Sequence, residues 1–564
     1  MIQCKDLKYE RYTTEQLKAA VEPQIKAIEN ASSREEVLAA RGVIIEALQH
    51  FSTMSALANA RYTLDTRDEY YVKEVEYYDE NTPIVNELMA RYGRALIEGR
   101  FKSVAEEISP ALVKSLENQL KAESPIIIPD RQKEAAIVME YSKLMSTMEF
   151  DYNGKKLPLS VVRGDLNNSD RAVRKAAAEA IGRGLMAHAE ELDDIFDRLV
   201  KVRDAMAKKL GFENYIELGY LNMDRKDYDR GDVEQFRANV KKYLVPVISE
   251  IKGRLCGELN LGTFYFYDNG VTLKTEPKPM LSPDEMFAAA QAMYDDMDKE
   301  IGDFMRFMIE SGAFDVEART GKWGGGYCTQ FADYVQPFIL ANWNGSCDDV
   351  DVLTHEFGHA FAGINAMKNG IVELGVGGME TAECHSMTME LLSHPYMDKF
   401  FGKDCDKYRY RHLFKNLDFI PYGVIVDEFQ HIVYENPSLT PKERNEAFKK
   451  LTKEYMPYMT YDTIPYLEDG TRWQYQMHIY EAPFYYIDYC LAQTVALEFF
   501  ALALQKGQSA ALKAYIDFVK KGGSKMFKTL VKEAGLASPF DKGALGNVAE
   551  IVLKELDRLK SKMK

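Results

Sequence analysis

The chain has 564 residues, of which 46% are hydrophobic and 28% charged, and this ordinary balance excludes a disordered chain. Its formal net charge of −16 disfavours binding to nucleic acid or to an anionic membrane surface. The length allows a large core and several subdomains. Seven scattered cysteines without a C-x-x-C pair predict reduced thiols.

Two observations bear on where the protein acts. The opening residues contain no apolar run of the kind that forms a signal peptide, so we expect a cytoplasmic protein. The apolar stretch 482–504 has the length of a membrane span, but Asp488, Gln493 and Glu498 interrupt it. We therefore expect a buried helix there and no membrane partner.

Most of the chain before residue 312 has helical patterning. Helical spacing of apolar residues predicts helices over 14–28, 33–55, 70–98, 131–148, 168–210, 230–255 and 283–312. Two segments interrupt this pattern. Alternation around Asn153-Gly154 predicts a β-hairpin over 150–162, and residues 264–273 predict a second short hairpin.

The segment 322–345 differs from the helices around it. It is interpreted as a glycine-rich loop followed by a strand that leads into the next helix. If that strand has an exposed edge near Phe338 to Trp343, it can pair with an extended peptide through backbone hydrogen bonds. An ordinary buried hairpin is the alternative.

The next helix contains the motif His355-Glu356-Phe-Gly-His359. Two histidines four residues apart project from one helix face, so they can bind one zinc ion. Glu356 can reach a water at the metal without being a ligand, which is the position that a general base needs. The alternative is an amphipathic helix with two satisfied histidines.

A third ligand is needed downstream. The chain breaks at the glycine-containing segments 368–370 and 375–378 and resumes as a second helix over 379–392. Glu383, 24 residues beyond His359, can be presented to the same ion if that helix folds back. We favour Glu383 because two histidines and a glutamate leave water nucleophilic, whereas a thiolate would weaken the Lewis acid. The alternatives nearby are Glu380, Cys384, His385 and Glu390.

The block 477–500 is rich in tyrosine. Tyr486 and Tyr489 are three residues apart and can face one cleft, which His478 can also reach. A tyrosine hydroxyl can stabilise a developing oxyanion, so His478 and Tyr486 are the favoured candidates. The alternative is an aromatic stripe that belongs to the core.

These blocks resemble the thimet oligopeptidase and oligoendopeptidase F family of zinc metallopeptidases, and most of all its oligoendopeptidase F and Pz-peptidase branch. The resemblance rests on His355-Glu-Phe-Gly-His359 and on Ala382-Glu383-x6-Glu390-Leu-Leu, and it extends over 324–328, 337–345 and 478–489. It implies that His355, His359 and Glu383 bind zinc, that Glu356 activates water, and that the later His and Tyr residues assist at the substrate. It also implies that the zinc is enclosed in a channel that admits short peptides.

We therefore predict a mainly α-helical zinc endopeptidase acting on oligopeptides, with one Zn²⁺ per chain and a small β element beside the metal helix. The predicted regions are an N-terminal helical lobe (1–190) and a catalytic domain (191–564). A zinc exopeptidase and a non-catalytic peptide-binding protein remain alternatives, although a binding module has no need of a base at Glu356. The predicted substrate contacts are Gly325, Phe338, Ala341, Tyr485 and Tyr489.

Overall fold

The computed structural model describes residues 2–461 and 463–563 and is mainly α-helical, as predicted. Its first helices are α1 (Thr14–Glu29), α2 (Arg34–Leu64), α3 (Glu69–Ile97), α4 (Lys102–Ile108) and α5 (Pro110–Ala122). A capping box begins α1, because the side chains of Thr13 and Gln16 accept each other's backbone N–H. Apolar residues of α1–α5 form a separate core that also includes Leu374.

The chain continues in helices with one hairpin. The helices are α6 (Ile128–Thr147), α7 (Leu159–Gly164), α8 (Arg171–Met186), α9 (Ala189–Lys209), α10 (Tyr215–Asn222), α11 (Arg230–Asn239), α12 (Val245–Glu258), α13 (Pro283–Met297) and α14 (Lys299–Glu310). The first predicted hairpin is confirmed. Strands β1 (Phe150–Tyr152) and β2 (Lys155–Leu157) pair antiparallel around Asn153 and Gly154, which both have positive φ.

The second predicted hairpin, at 264–273, is wrong. The segment forms a short 3₁₀ turn around the buried carboxylate of Asp268. Asp268 lies 2.7 Å from Arg171 and 2.8 Å from Arg174, and it also accepts the backbone N–H of Tyr265. A buried carboxylate must be fully hydrogen-bonded, and these partners fold the segment onto α8.

A three-stranded sheet precedes the metal helix. Strands β3 (Phe314–Glu317), β4 (Tyr327–Phe331) and β5 (Gln336–Trp343) have the order β3-β5-β4, with β5 parallel to β3 and antiparallel to β4. The expectation that the strand of Phe338 and Ala341 offers an exposed edge is wrong, because β5 is the central strand. Phe338 pairs with Thr329 of β4, and the carbonyl of Ala341 accepts from Lys322. The edge strands are β3 and β4, and β4 is the edge strand that packs against the metal helix.

The remaining helices include one apolar helix and the helices that pack against it. They are α15 (Asp348–Asn369), α16 (Met379–Leu392), α17 (Asp398–Phe401), α18 (Cys405–Glu435), α19 (Pro441–Tyr455), α20 (Met477–Glu481), α21 (Tyr486–Lys506), α22 (Gln508–Lys521), α23 (Phe527–Glu533) and α24 (Ala544–Lys562). Helix α21 is long and apolar enough to cross a membrane by length and composition alone, yet 72% of its apolar window is buried in the protein. It packs against α16, α18 and α22, which confirms the expected buried helix.

Candidate metal centre and active site

Helices α15 and α16 approach each other closely at the His-Glu-x-x-His motif. Gly358 lies between the two histidines of α15. A Cβ placed there would be 2.7 Å from Cα of Ser386 and 2.8 Å from the carbonyl oxygen of His385. Glycine therefore lets the two helices make contact at this level.

The turn between these helices is anchored to the N-terminal helices. Helix α15 ends at Asn369, and Gly370 follows with φ 70°, so the predicted break is confirmed. Within the turn, Glu373 lies 2.8 Å from Arg41 of α2 and accepts a 2.8 Å hydrogen bond from Tyr92 of α3. These contacts fix the path of the chain from one ligand-bearing helix to the next.

His355, His359 and Glu383 form a compact triangle of donor atoms. Nε2 of His355 lies 3.2 Å from Nε2 of His359, and Oε2 of Glu383 lies 3.4 Å and 3.6 Å from these two nitrogens. Tetrahedral ligands about 2.0–2.1 Å from zinc are themselves roughly 3.3–3.4 Å apart. The triangle therefore has the size and the chemistry of a three-ligand zinc site with a fourth position left for water.

Glu390 contacts His355 on the side of the ring that faces away from the triangle. Its Oε1 lies 2.6 Å from Nδ1 of His355 and its Oε2 lies 2.8 Å from Nε2 of His412. Burial alone would raise the pKa of Glu390, but the hydrogen bonds with the two histidines lower it to about 2. The ionised carboxylate accepts the Nδ1–H of His355 and directs its Nε2 lone pair into the triangle.

Glu356 is held in a different state. Its side chain is half-buried and makes no hydrogen bond to a described residue. Burial raises its pKa, although the neighbouring His355 and His359 oppose this change. Cys328 of β4 is close enough for the Glu356 charge to raise the pKa of its thiol, after the larger effect of burial. Glu356 is therefore a carboxylate of α15 that lies near β4 and has no hydrogen-bond partner among the described residues.

Three further candidate ligands, Glu380, Cys384 and His385, do not belong to the triangle. Cys384 and His385 are fully buried, and the His385 ring packs 5.3 Å from the Phe518 ring. Buried Glu380 lies near the Asp488 charge, which together with burial raises its pKa to about 7. Among the described residues, the group that could hold an ion is the predicted one.

The tyrosine block reaches the triangle through Tyr485. Its hydroxyl lies 3.5 Å from Oε1 of Glu383, and its ring is 4.8 Å from that of Tyr489. The ring of Tyr486 lies 4.9 Å from the ring of His478 and 5.6 Å from that of Phe419. The structure thus brings Tyr485 to the side of Glu383 and places Tyr486 on a second wall, beside His478 and Phe419.

His478 is oriented by a relay of hydrogen bonds. Tyr422 donates to Oε1 of Gln476, so the Gln476 amide nitrogen faces Nδ1 of His478 at 3.0 Å. Nδ1 therefore accepts and Nε2 carries the proton. Burial lowers the pKa of His478, which keeps the ring a neutral donor.

A strained residue sets the direction in which Tyr485 enters the cleft. Buried Phe484 has φ 66°, a conformation unusual for a bulky side chain. Its N–H donates to Gln430 at 3.0 Å, and its carbonyl accepts from Arg225 at 2.5 Å. Arg225 is itself paired with Asp488 at 3.2 Å. Sequence reasoning missed Gln430 and Arg225, since both are distant along the chain.

Two imidazoles and a carboxylate in a compact triangle, beside a carboxylate without a hydrogen-bond partner among the described residues, fit the ligands and the general base of a metallopeptidase. Residues 166–549 match the sequence profile of Peptidase family M3, and residues 4–122 match that of the Peptidase M3 N-terminal domain. The chain belongs to peptidase family M3, and the family resemblance predicted from its motifs is confirmed.

Individual relatives agree with this assignment. Oligopeptidase PepF of Bacillus subtilis is 26% identical over 275 residues, which are 47% of this chain and 40% of that protein. The oligoendopeptidase F homolog of Lactococcus lactis is 22% identical over 544 residues, which are 89% of this chain and 86% of the relative. The solved structure of Pz peptidase A with an inhibitor is 38% identical, with a TM-score of 0.92 over 99% of this chain and 100% of the other.

Proposed function

We propose that this metallopeptidase is a zinc-dependent endopeptidase that hydrolyses internal bonds of oligopeptides in the cytoplasm, with one zinc per chain. The observation that carries the proposal is the donor triangle beside Glu356. Imidazole and carboxylate donors at tetrahedral spacing suit zinc. The seven free cysteines are consistent with a reducing compartment.

In this proposal His355, His359 and Glu383 hold the metal, and Glu356 moves the proton. When bound, zinc supplies a Lewis acid that polarises the scissile carbonyl and acidifies water. Glu356 takes a proton from the attacking water and returns it to the leaving amine. Glu390 keeps the His355 ring in position throughout.

In this proposal Tyr485 and His478 donate hydrogen bonds to the oxyanion of the tetrahedral intermediate. The Tyr485 hydroxyl lies 3.5 Å from the proposed ligand Glu383, and the His478 ring, whose Nδ1 is occupied by Gln476, lies 5.8 Å from the ring of Tyr485. Tyr486 remains a candidate donor, although its ring lies on the second wall. Donors of this kind act most strongly in the transition state, because charge develops there.

The edge strand β4 offers a place for the substrate backbone. Its outer edge is unpaired in the three-stranded sheet, and Cys328 places it next to Glu356. An extended peptide can add there as a further strand, which grips any sequence through its main chain. In this arrangement the substrate would lie between Gly325, in the loop before β4, and Tyr489 across the cleft. Phe338 and Ala341 belong to β5, the strand that pairs with β4.

The test combines metal removal with blocked peptides. Chelation should abolish hydrolysis and added zinc should restore it. A peptide that is acetylated at its N-terminus and amidated at its C-terminus should still be cut at an internal bond. Release of terminal residues from unblocked peptides only would establish an exopeptidase. Binding of peptides without any hydrolysis by zinc-loaded protein would establish a binding module.

A further inference from the structure

A cavity of about 340 Å³ lies beside the proposed active site, between α18 and the segments 266–272 and 456–461. We call it the Arg472 pocket, and the residues that define it are Phe266, Lys415, Phe419, Tyr422, Tyr461 and Arg472. Its lining includes four aromatic side chains, two methionines, two cationic side chains and the carboxylate of Asp418. Apolar walls with a few charged groups can hold a ligand that combines an apolar body with a negative charge.

Arg472 has no counter-ion among the described residues. Its Nη1 is buried without a hydrogen-bond partner, and its guanidinium lies 3.9 Å from the centre of the Tyr475 ring. In contrast, the buried Arg203, Arg225 and Arg237 each lie 2.6–3.2 Å from a carboxylate. Arg472 is half-buried, and the rings of Tyr422 and Tyr475 lie 4.8 Å and 3.9 Å from its guanidinium. A guanidinium with aromatic neighbours and no counter-ion among the described residues can bind a carboxylate that enters the pocket.

The charges around the pocket favour an anion. Lys415 adds a second positive charge, and its nearest carboxylate is Asp348 at 3.9 Å. Among the described residues, the acidic side chain that lines the pocket is Asp418, which is already engaged by Lys252 at 2.7 Å and by the Tyr458 hydroxyl at 3.3 Å. The described lining of the Arg472 pocket therefore has an excess of positive charge in a protein that is acidic as a whole.

The pocket and the catalytic cleft share a wall. The Phe419 ring lies 5.6 Å from Tyr486 and 6.4 Å from Tyr489. Tyr422 lies 6.0 Å from Tyr486 and begins the hydrogen-bond relay that ends at His478. The pocket therefore lies directly behind aromatic residues that border the proposed substrate cleft.

We propose that the Arg472 pocket is a substrate subsite that binds a peptide carboxylate, either the C-terminal carboxylate or an acidic side chain. The planar guanidinium forms paired hydrogen bonds with the carboxylate, and the aromatic walls contact the aliphatic part of the same residue. Tyr486 then serves as part of the subsite wall. This inference rests on the proposed function, because it assumes that a peptide occupies the cleft.

The experiment compares peptides that differ only in where they carry a carboxylate. One scissile sequence is prepared as a free acid, as a C-terminal amide, and as amides with a single glutamate at successive positions beyond the scissile bond. We expect kcat/KM to be about tenfold to a hundredfold higher for at least one carboxylate peptide than for the plain amide, mainly through KM. A preference for the free acid alone identifies the C-terminus, and a preference for one glutamate position identifies a side chain.

Arg472→Met should abolish this preference, so that the carboxylate peptides and the plain amide are hydrolysed with equal kcat/KM. Arg163→Met is the matched control, since Arg163 lies 6.0 Å from the same Tyr475 ring but is not one of the residues lining the pocket. It should keep the preference. Lys415→Met, at a half-buried wall position, should reduce the preference by a few fold and provides a second test if Arg472→Met does not fold.

Binding gives a readout that does not depend on turnover. In the Glu356→Gln background, calorimetry should show tighter binding of the preferred carboxylate peptide, and Arg472→Met should remove the difference. Equal handling of all peptides by the parent protein, or equal slowing of acid and amide by Arg472→Met, would overturn the subsite. No hydrolysis of any peptide by zinc-loaded protein would instead overturn the proposed function.

Discussion

Oε1 of Glu390 lies 2.6 Å from Nδ1 of His355, on the nitrogen opposite the one that faces Glu383. Two carboxylates seven residues apart on α16 thus lie on opposite sides of one imidazole. One completes the donor triangle, and the other fixes the orientation of the ring.

Glu390→Gln should weaken zinc binding by about tenfold to a hundredfold, because an amide orients His355 less strongly than a carboxylate does. Competition with a chelator measures the affinity. Glu383→Gln should weaken it further, since it removes a ligand. Glu380→Gln is the control on the same helix and should bind zinc normally. An unchanged zinc affinity in Glu390→Gln would show that metal binding does not depend on the contact between Glu390 and His355.

Glu356→Gln should retain the metal and the fold but lose about 10²- to 10⁴-fold in kcat, because an amide cannot accept the proton from water. Metal analysis and thermal melting establish that the protein is intact, and steady-state kinetics measure the loss. Near-normal turnover with bound zinc would assign the base to another residue.

Tyr485→Phe should lower kcat by about tenfold to a thousandfold with little change in KM, because its hydroxyl is used mainly in the transition state. His478→Ala should behave in the same way. The sequence favours Tyr486 for this role, so Tyr486→Phe and Tyr489→Phe are the matched comparisons. A larger loss in Tyr486→Phe than in Tyr485→Phe would reverse the assignment drawn from the 3.5 Å contact with Glu383.

Gln430→Met should lower kcat because it removes the acceptor that holds strained Phe484, and with it the direction of Tyr485. The effect should largely disappear in a Tyr485→Phe background, since the positioned hydroxyl is then already absent. Gln493→Met makes the same substitution at a different buried glutamine, which lies on α21, and should leave kcat unchanged. Additive effects of Gln430→Met and Tyr485→Phe would indicate a general loss of stability instead.

Oligopeptides should be preferred to folded proteins. The three proposed ligands are recessed, with side chains 25%, 22% and 8% exposed for His355, His359 and Glu383. A recessed site between helices admits a chain that is short and already extended. The test measures kcat/KM for one scissile sequence in peptides of increasing length and in a folded host protein. Constant values throughout would show an open cleft.

The sequence by itself determined the features that depend on neighbours within a few residues. The four-residue spacing places His355 and His359 on one helix face, and Asn153-Gly154 specifies the first hairpin, because helix and turn geometry are local. Chemistry then selected Glu383 from several candidates on α16. Glu390 could have been recognised by the same periodicity, since two helical turns separate it from Glu383.

Only the tertiary structure decided which faces of distant elements meet. Tyr485 and Glu383 are 102 residues apart, so no local pattern could place Tyr485 rather than Tyr486 against the proposed metal ligand Glu383. The central position of β5 likewise follows from its parallel pairing with β3, a long-range contact that strand patterning does not specify. The Arg472 pocket exists for the same reason, because three separate segments pack around a guanidinium that the sequence shows only as one arginine among many.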